Sequence, residues 1–266
     1  MNNSQSEIVN NESLLKVERQ SRINKIVEER GRVTVQELSE FFGVSEATIR
    51  RDLEELDGRG WIRRTHGGAL RLERAVKEPP VLQRFSEQSE EKTRIGKDAA
   101  SLVREGETIF LGSGTTVLEI AQHLPHDLRL TVITNSLPIA NELADHTNVD
   151  MIVIGGMLRQ SELSMVGHIA EQAVCEFRAD RVFMGMRAID TSHGFTNDYL
   201  PETMTDRAIL SIAPQVIVVA DHSKFGRVST VLVAPVTAAH MIITDLATPE
   251  EVVSELEGLG IVVRLV

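Results

Sequence analysis

From Glu18 to Leu72 the chain repeats its apolar residues at helical intervals three times and then changes to short runs. Ile23, Ile26 and Val27 predict a first helix over about 18–29. Val35, Leu38 and Phe42 mark a second; Thr34 followed by Glu37 is a capping-box pattern, and Gly43 ends it. Ser45 suits the N-cap of a third helix, where Ile49, Leu53 and Leu56 form one apolar stripe. At 100° per residue, Ala47, Arg51 and Glu54 point away from that stripe, with Thr48 and Arg50 flanking it near the helix start. Trp61 to Arg64 and Ala69 to Leu72 then predict two strands around His66-Gly67-Gly68, whose glycines would allow a positive φ in a tight turn. The pattern is three helices around one small core, with a hairpin as a wing.

Beyond Glu73 the period changes. Residues 74–88, with Pro79-Pro80 and mixed charge, carry no sustained repeat and predict a linker. A helical pattern runs from about Ser89 to Arg104. Short β-branched runs then alternate with helices: TIFL, LTVIT, MIVIG, RVFMG, QVIVVA, MIITD and IVVRLV. Such alternation predicts a larger Rossmann-like α/β domain over 89–266, with a largely parallel sheet. The polar leader 1–16 stands outside both patterns, so the predicted order is leader, residues 17–73, linker, residues 89–266.

Charge divides along the same boundary. The formal net charge of -11 is ill suited to a nucleic-acid partner, yet residues 14–74 hold 13 basic against 11 acidic side chains, and residues 76–266 hold 15 against 26. From Arg59 to Arg71 there are four arginines and His66 without one acidic residue, so the hairpin is a local cation. The single cysteine, Cys175, excludes an intramolecular disulfide and any multi-cysteine metal site, and its surroundings read as a helix core. No apolar run approaches the roughly 20 residues that span a bilayer, and the leader lacks a signal-peptide pattern, so a cytoplasmic protein is expected.

The small module therefore reads as a winged helix-turn-helix. Ser45, Thr48, Arg50 and Arg51 lie at the end of the third helix that would enter a major groove of double-stranded DNA. Arg63, Arg64, His66 and Gly67 would meet backbone phosphates from the wing. Each arginine alone is equally a solvated surface residue, and Arg51 has Glu54 and Glu55 within ion-pairing range along the helix. The order of parts is what points to DNA.

In the larger domain, the strand Thr108 to Leu111 ends in Gly112-Ser113-Gly114-Thr115-Thr116 and runs into a helix. Unpaired N–H groups at such a helix start attract anions. The turn lacks the Lys of a nucleotide P-loop. Asn135-Ser136, Gly155-Gly156 and Asp221 to Lys224 follow other strands, and in open α/β sheets such loops line one crevice. Ser113, Gly114, Thr115 and Thr116 are assigned to a phosphate, Asn135 and Ser136 to sugar hydroxyls or phosphate, and Lys224 to anion pairing, with Gly155 on a neighbouring loop. Asn135 as a helix cap and Lys224 as a surface ion pair are the competing assignments.

The stretch VSEATIRRDLEELDGRGWIRRTHGG, from Val44 to Gly68, closely resembles the DeoR family of bacterial transcription regulators. The likeness continues through EKTRIGKDAA, IFLGSGTT, TNS, GGMLR, SMVG and ADHSKFG, and covers about Val17 to Val266. The resemblance implies a repressor of sugar or nucleoside catabolism whose second domain, similar in fold to ribose-5-phosphate isomerase, senses a phosphorylated sugar. No cofactor is implied beyond that effector. Three residues depart from the family's habit: Gly112 stands where aspartate is frequent, Asp206 where lysine often follows Glu202 by four residues, and Arg187 where a small or polar residue is usual. Arg187 and Glu202 join the expected effector contacts, Arg187 restoring a cation.

A regulator of this kind is expected to work as a homo-oligomer on repeated half-sites, with no catalytic residue. The alternatives are a sugar-phosphate isomerase using Asp190, Glu202, Asp221 and Lys224 for proton transfer, and an activator on the same scaffold.

Overall fold

The structure, a computed structural model, describes residues 16–74 and 79–266, so the leader expected over 1–16 lies outside them save for Lys16. The chain divides into two compact units between Glu73 and Arg74.

In the first unit the order is α1 (Lys16–Arg30), β1 (Arg32–Thr34), α2 (Val35–Phe42), α3 (Glu46–Gly58), β2 (Ile62–Thr65) and β3 (Gly68–Arg71), and the two-residue β4 (Glu73–Arg74) straddles the division. The capping box forms in full: the Glu37 N–H donates to the Thr34 hydroxyl at 3.1 Å, and the Thr34 N–H donates to the Glu37 carboxylate at 2.7 Å. Gly43 takes the left-handed conformation (φ 65°) that turns the chain out of α2, and Ser45 accepts the Thr48 N–H to open α3. Ile23, Val27, Val35, Leu38, Ile49, Leu53, Leu56 and Ile62 close into one core. The stripe read from the sequence is thus the buried face of α3.

Two details differ from the sequence reading. The wing has a third strand, β1, pairing antiparallel with β3 in the order β1-β3-β2; three residues are too few to show alternation. Neither Gly67 nor Gly68 has a positive φ. Gly68 is needed for space, because a Cβ there would sit 1.9 Å from the Val33 carbonyl oxygen on β1.

The second unit holds α4 (Ser89–Ala100), β5 (Thr108–Leu111), α5 (Thr115–Gln122), β6 (Leu130–Thr134), α6 (Leu137–Leu143), β7 (Val149–Val153), β8 (Met157–Arg159), β9 (Ser164–Val166) and α7 (His168–Cys175). It continues with β10 (Arg181–Met184), β11 (Ala188–Asp190), β12 (Gly194–Asn197), α8 (Leu200–Leu210), β13 (Val216–Val219), β14 (Arg227–Val228), β15 (Val231–Ala234), β16 (Met241–Thr244), α9 (Glu250–Gly258) and β17 (Val262–Leu265). The seven apolar runs become a seven-stranded, wholly parallel sheet in the order β17-β16-β13-β10-β5-β6-β7. Side chains alternate across it: Ile109 and Leu111 join the layer under α4, α5 and α6, whereas Phe110 joins that under α7, α8 and α9. A small antiparallel sheet, β11-β12-β15, was not foreseen.

The linker reading over 74–88 is corrected for part of its length. Residues 81–86 form a 3-10 turn of the second unit: Val81 is buried, its N–H donates to the Ser161 carbonyl at 2.7 Å, and Lys92 donates to the Arg84 carbonyl at 2.8 Å. Cys175 is exposed at the end of α7, not set in a helix core.

Candidate functional site

On α3, burying Ile49, Asp52, Leu53 and Leu56 leaves Ala47, Arg50, Arg51 and Glu54 facing solvent, with Thr48 half-buried beside its cap. Arg51 makes no ion pair or side-chain hydrogen bond among the described residues, so pairing with Glu54 or Glu55 does not occur. Arg50 is tied loosely, 3.2 Å from Glu46 and 3.5 Å from the His66 carbonyl. Arg64 lies 3.9 Å from Glu54, while its N–H donates to Asp57 at 2.8 Å. Exposed pairs of this kind are worth less than about 1 kcal/mol and yield readily to a phosphate. Arg63 is half-buried; His66 and Gly67 form the exposed turn of the wing. Trp61 stands just before β2, 46 % exposed, with the Arg59 guanidinium 5.7 Å from its ring centre, and is not a packing residue.

The orientation of α3 is fixed from its hidden side. Arg19 of α1 donates to Asp52 at 2.5 Å, and Gln20 donates to Asp52 at 3.2 Å and to Glu55 at 2.9 Å. Asp52 was missed in the sequence, although its place between Ile49 and Leu53 puts it on the inward stripe.

In the second unit, β5 is followed by β6 and β7 on one side and by β10 and the rest on the other, so the strand order reverses between β5 and β10. Loops diverge at such a point and leave a crevice at the carboxyl ends of the strands. A cleft of about 720 Å³, including its open mouth, lies there. Ser113, Gly114, Thr115 and Thr116 from the turn after β5 line it, with Arg187 after β10, Glu202 on α8 and Lys224 after β13. Gly114 has φ 118° and caps α5 without a side-chain bond, leaving the helix start open to the cleft.

Asn135, Ser136 and Gly155 do not line it. Asn135 donates to the Met165 carbonyl at 3.0 Å, Ser136 is buried at the start of α6, and Gly155 is exposed after β7. Those loops follow β6 and β7, on the far side of β5 from the reversal.

Sequence reasoning missed Arg84, Arg159, Glu162 and Asn197, which the fold brings into the cleft wall. Arg84 pairs with Glu162 and Arg159 with Glu202; Arg187 lies 3.2 Å from Asp198. Asn197 donates to Glu202 at 2.7 Å and reaches Asp206 at 3.5 Å. Burial pushes the Asp206 carboxyl well above its ordinary range, and the neighbouring Glu202 charge adds to this against Asn197 and Arg159. Burial also lowers Lys92, which sits near Asp221 and Lys224. No helix of the described residues is long and apolar enough to cross a membrane.

Residues 19–75 match the model of the DeoR-like helix-turn-helix domain, and residues 87–246 match that of the DeoR C terminal sensor domain. The chain is 33% identical over 253 residues to the uncharacterized HTH-type transcriptional regulator YulB of Bacillus subtilis, covering 95% of this chain and 98% of that one. It is 34% identical over 239 residues to the glycerol-3-phosphate regulon repressor of Escherichia coli, covering 90% and 94%. Among solved structures, ribose 5-phosphate isomerase A of Methanocaldococcus jannaschii is similar over 52% of this chain and 55% of that one, at 17% identity and a TM-score of 0.39, too slight a likeness to build on. With a helix-turn-helix and a sensor domain both matched across nearly its whole length, the chain belongs to the DeoR family of transcriptional regulators.

Proposed function

We propose that the chain is a repressor of a carbohydrate-catabolism operon that leaves its DNA operator when a phosphorylated sugar enters the cleft. The observation that carries this reading is the cleft itself. The open start of α5 and the basic side chains of Arg84, Arg159, Arg187 and Lys224 converge on it, in a chain that also carries a winged helix-turn-helix. A phosphate satisfies free N–H groups and cations together. In the first unit Thr48, Arg50 and Arg51 read base edges, and Arg63, Arg64 and His66 hold the backbone.

One small winged module offers few base contacts, so a homo-oligomer binding repeated half-sites fits best. The effector must favour one arrangement of the oligomer over the other, because equal affinity for both shifts nothing. We assign the cleft no catalytic role; its named relatives are regulators.

The test selects a preferred duplex from a random pool and follows its release by fluorescence anisotropy against a panel of phosphorylated sugars. Release by one phosphorylated sugar but not by its unphosphorylated form is the expected result. Release by none of them, or conversion of a sugar phosphate to an isomer by the purified chain, overturns the reading.

A further inference from the structure

Glu202 and Asp206 stand one turn apart on α8 and both face the cleft, each 7 % exposed. Their hydrogen-bonding capacity is only partly used. Asn197 spends its amide hydrogens on Glu202 Oε2 and, at 3.5 Å, on Asp206 Oδ2. Arg159 pairs with Glu202 through that same Oε2. Glu202 Oε1 is buried without any hydrogen-bond partner. A carboxylate oxygen hidden from water without a donor pays its full desolvation penalty, a cost that a donor on the ligand removes.

The Arg159 guanidinium pairs with Glu202 and lies 3.9 Å from Asp198 but makes no ion pair with Asp206, and burial beside Glu202 raises the Asp206 carboxyl well above the ordinary carboxylate range. Buried charges are stable when paired, and Asp206 makes no ion pair among the described residues. A ligand hydroxyl supplies Glu202 Oε1 with one donor and leaves Asp206 as it was. A ligand ammonium supplies three donors and a positive charge, so that both carboxyls ionise against two cations. Charge-assisted bonds of this kind are roughly twice as strong as neutral ones.

We infer that the effector is an amino-sugar phosphate, its ammonium held by Glu202 and Asp206 and its phosphate at the start of α5. This rests on the reading that the cleft takes a phosphorylated sugar, and it names the class. Binding is then coupled to a proton: the Asp206 carboxylic acid loses its proton to the buffer as the ammonium arrives. Glu202 stays ionised through Arg159, and the ligand's charge is unchanged.

Isothermal titration of the full-length chain at neutral pH tests this with two matched pairs, glucosamine 6-phosphate against glucose 6-phosphate and galactosamine 6-phosphate against galactose 6-phosphate. The expected result is that, in at least one pair, the amine binds roughly tenfold or more tightly than its hydroxyl parent. Titration in two buffers of different ionisation enthalpy should show proton release for the amine in excess of that for the parent. In Asp206→Asn that excess disappears and the preference shrinks. If that variant does not fold, the wild-type proton count decides alone. Equal or tighter binding of the hydroxyl parent, amine binding without excess proton release, or binding only of a phosphorylated sugar without an amine overturns the inference while leaving the sensing of sugar phosphates standing. Failure of every phosphorylated sugar to bind removes the parent reading itself.

Discussion

The recognition helix is anchored by a charge in its buried face, and Asp52→Ala measures what that anchor contributes. Asp52 is 1 % exposed and is bound by Arg19 at 2.5 Å and by Gln20 at 3.2 Å. Removing one partner of a buried ion pair costs about 3–5 kcal/mol, chiefly because the other charge is left uncompensated. The Arg19 side chain is 13% exposed, and Gln20 keeps its bond to Glu55, so the lower end, about 3 kcal/mol, applies. In a unit of this size, each kcal/mol moves the melting temperature by roughly 4–8 °C, giving a fall of roughly 12–24 °C. Trp61 is the only tryptophan in the chain and belongs to the first unit, so its fluorescence in a urea titration reports on that unit. The midpoint should fall with little change in slope, and Asp52→Asn, which keeps an acceptor but loses the charge, should fall between. A loss below about 1 kcal/mol in the alanine variant would refute the reasoning, since it would mean the pair is already solvated.

Three further outcomes follow from the geometry. Gly68→Ala drives a methyl group to 1.9 Å from the Val33 carbonyl, so β1 must separate from the wing; urea titration should show a loss of about 1–3 kcal/mol or more, and an unchanged midpoint contradicts the space argument. Arg187→Ala should raise the effector concentration needed for DNA release by roughly tenfold while DNA affinity without effector stays the same, because Arg187 lines the cleft; an unchanged effector titration discards its role. Asp206 has a folded-state pKa raised above its unfolded value, so its stabilising contribution is complete below the unfolded value and is lost as pH rises through the folded one. Asp206→Asn should therefore match wild type in acid and exceed it in stability at higher pH; parallel stability curves across that range would contradict the assignment.

Long, regular patterns were legible because each residue repeats the same instruction. The three helices and the inward faces of Ile49, Leu53 and Leu56 follow from helical period, and the seven parallel strands from apolar β-branched runs set between helices. Elements of two to four residues, such as β1, β11 and β12, carry too few positions to reveal alternation, and β11 and β12 are buried on both faces. Gly68 was placed in the right turn for the wrong reason, because close approach of β1 is a tertiary fact. The cleft was legible as one loop, Ser113 to Thr116, since a glycine turn between strand and helix is local. Its charged wall was not: Arg84 came from a segment read as linker, and Arg159 and Asn197 from short strands whose neighbours are set by sheet order. Asn135, Ser136 and Gly155 fall outside the cleft lining because sequence gives the succession of loops but not the side of β5 on which each falls.

Operator recognition by this regulator depends on the outward face of α3 reading base sequence. It is tested most directly by comparing Arg51→Ala with wild type on the duplex selected from a random pool and on an unrelated duplex, at equal moderate salt. Loss of a base-reading arginine costs about 1–3 kcal/mol on the selected duplex and little on the unrelated one, narrowing the ratio between them. Unchanged affinity for the selected duplex, or an equal loss on both, would contradict it.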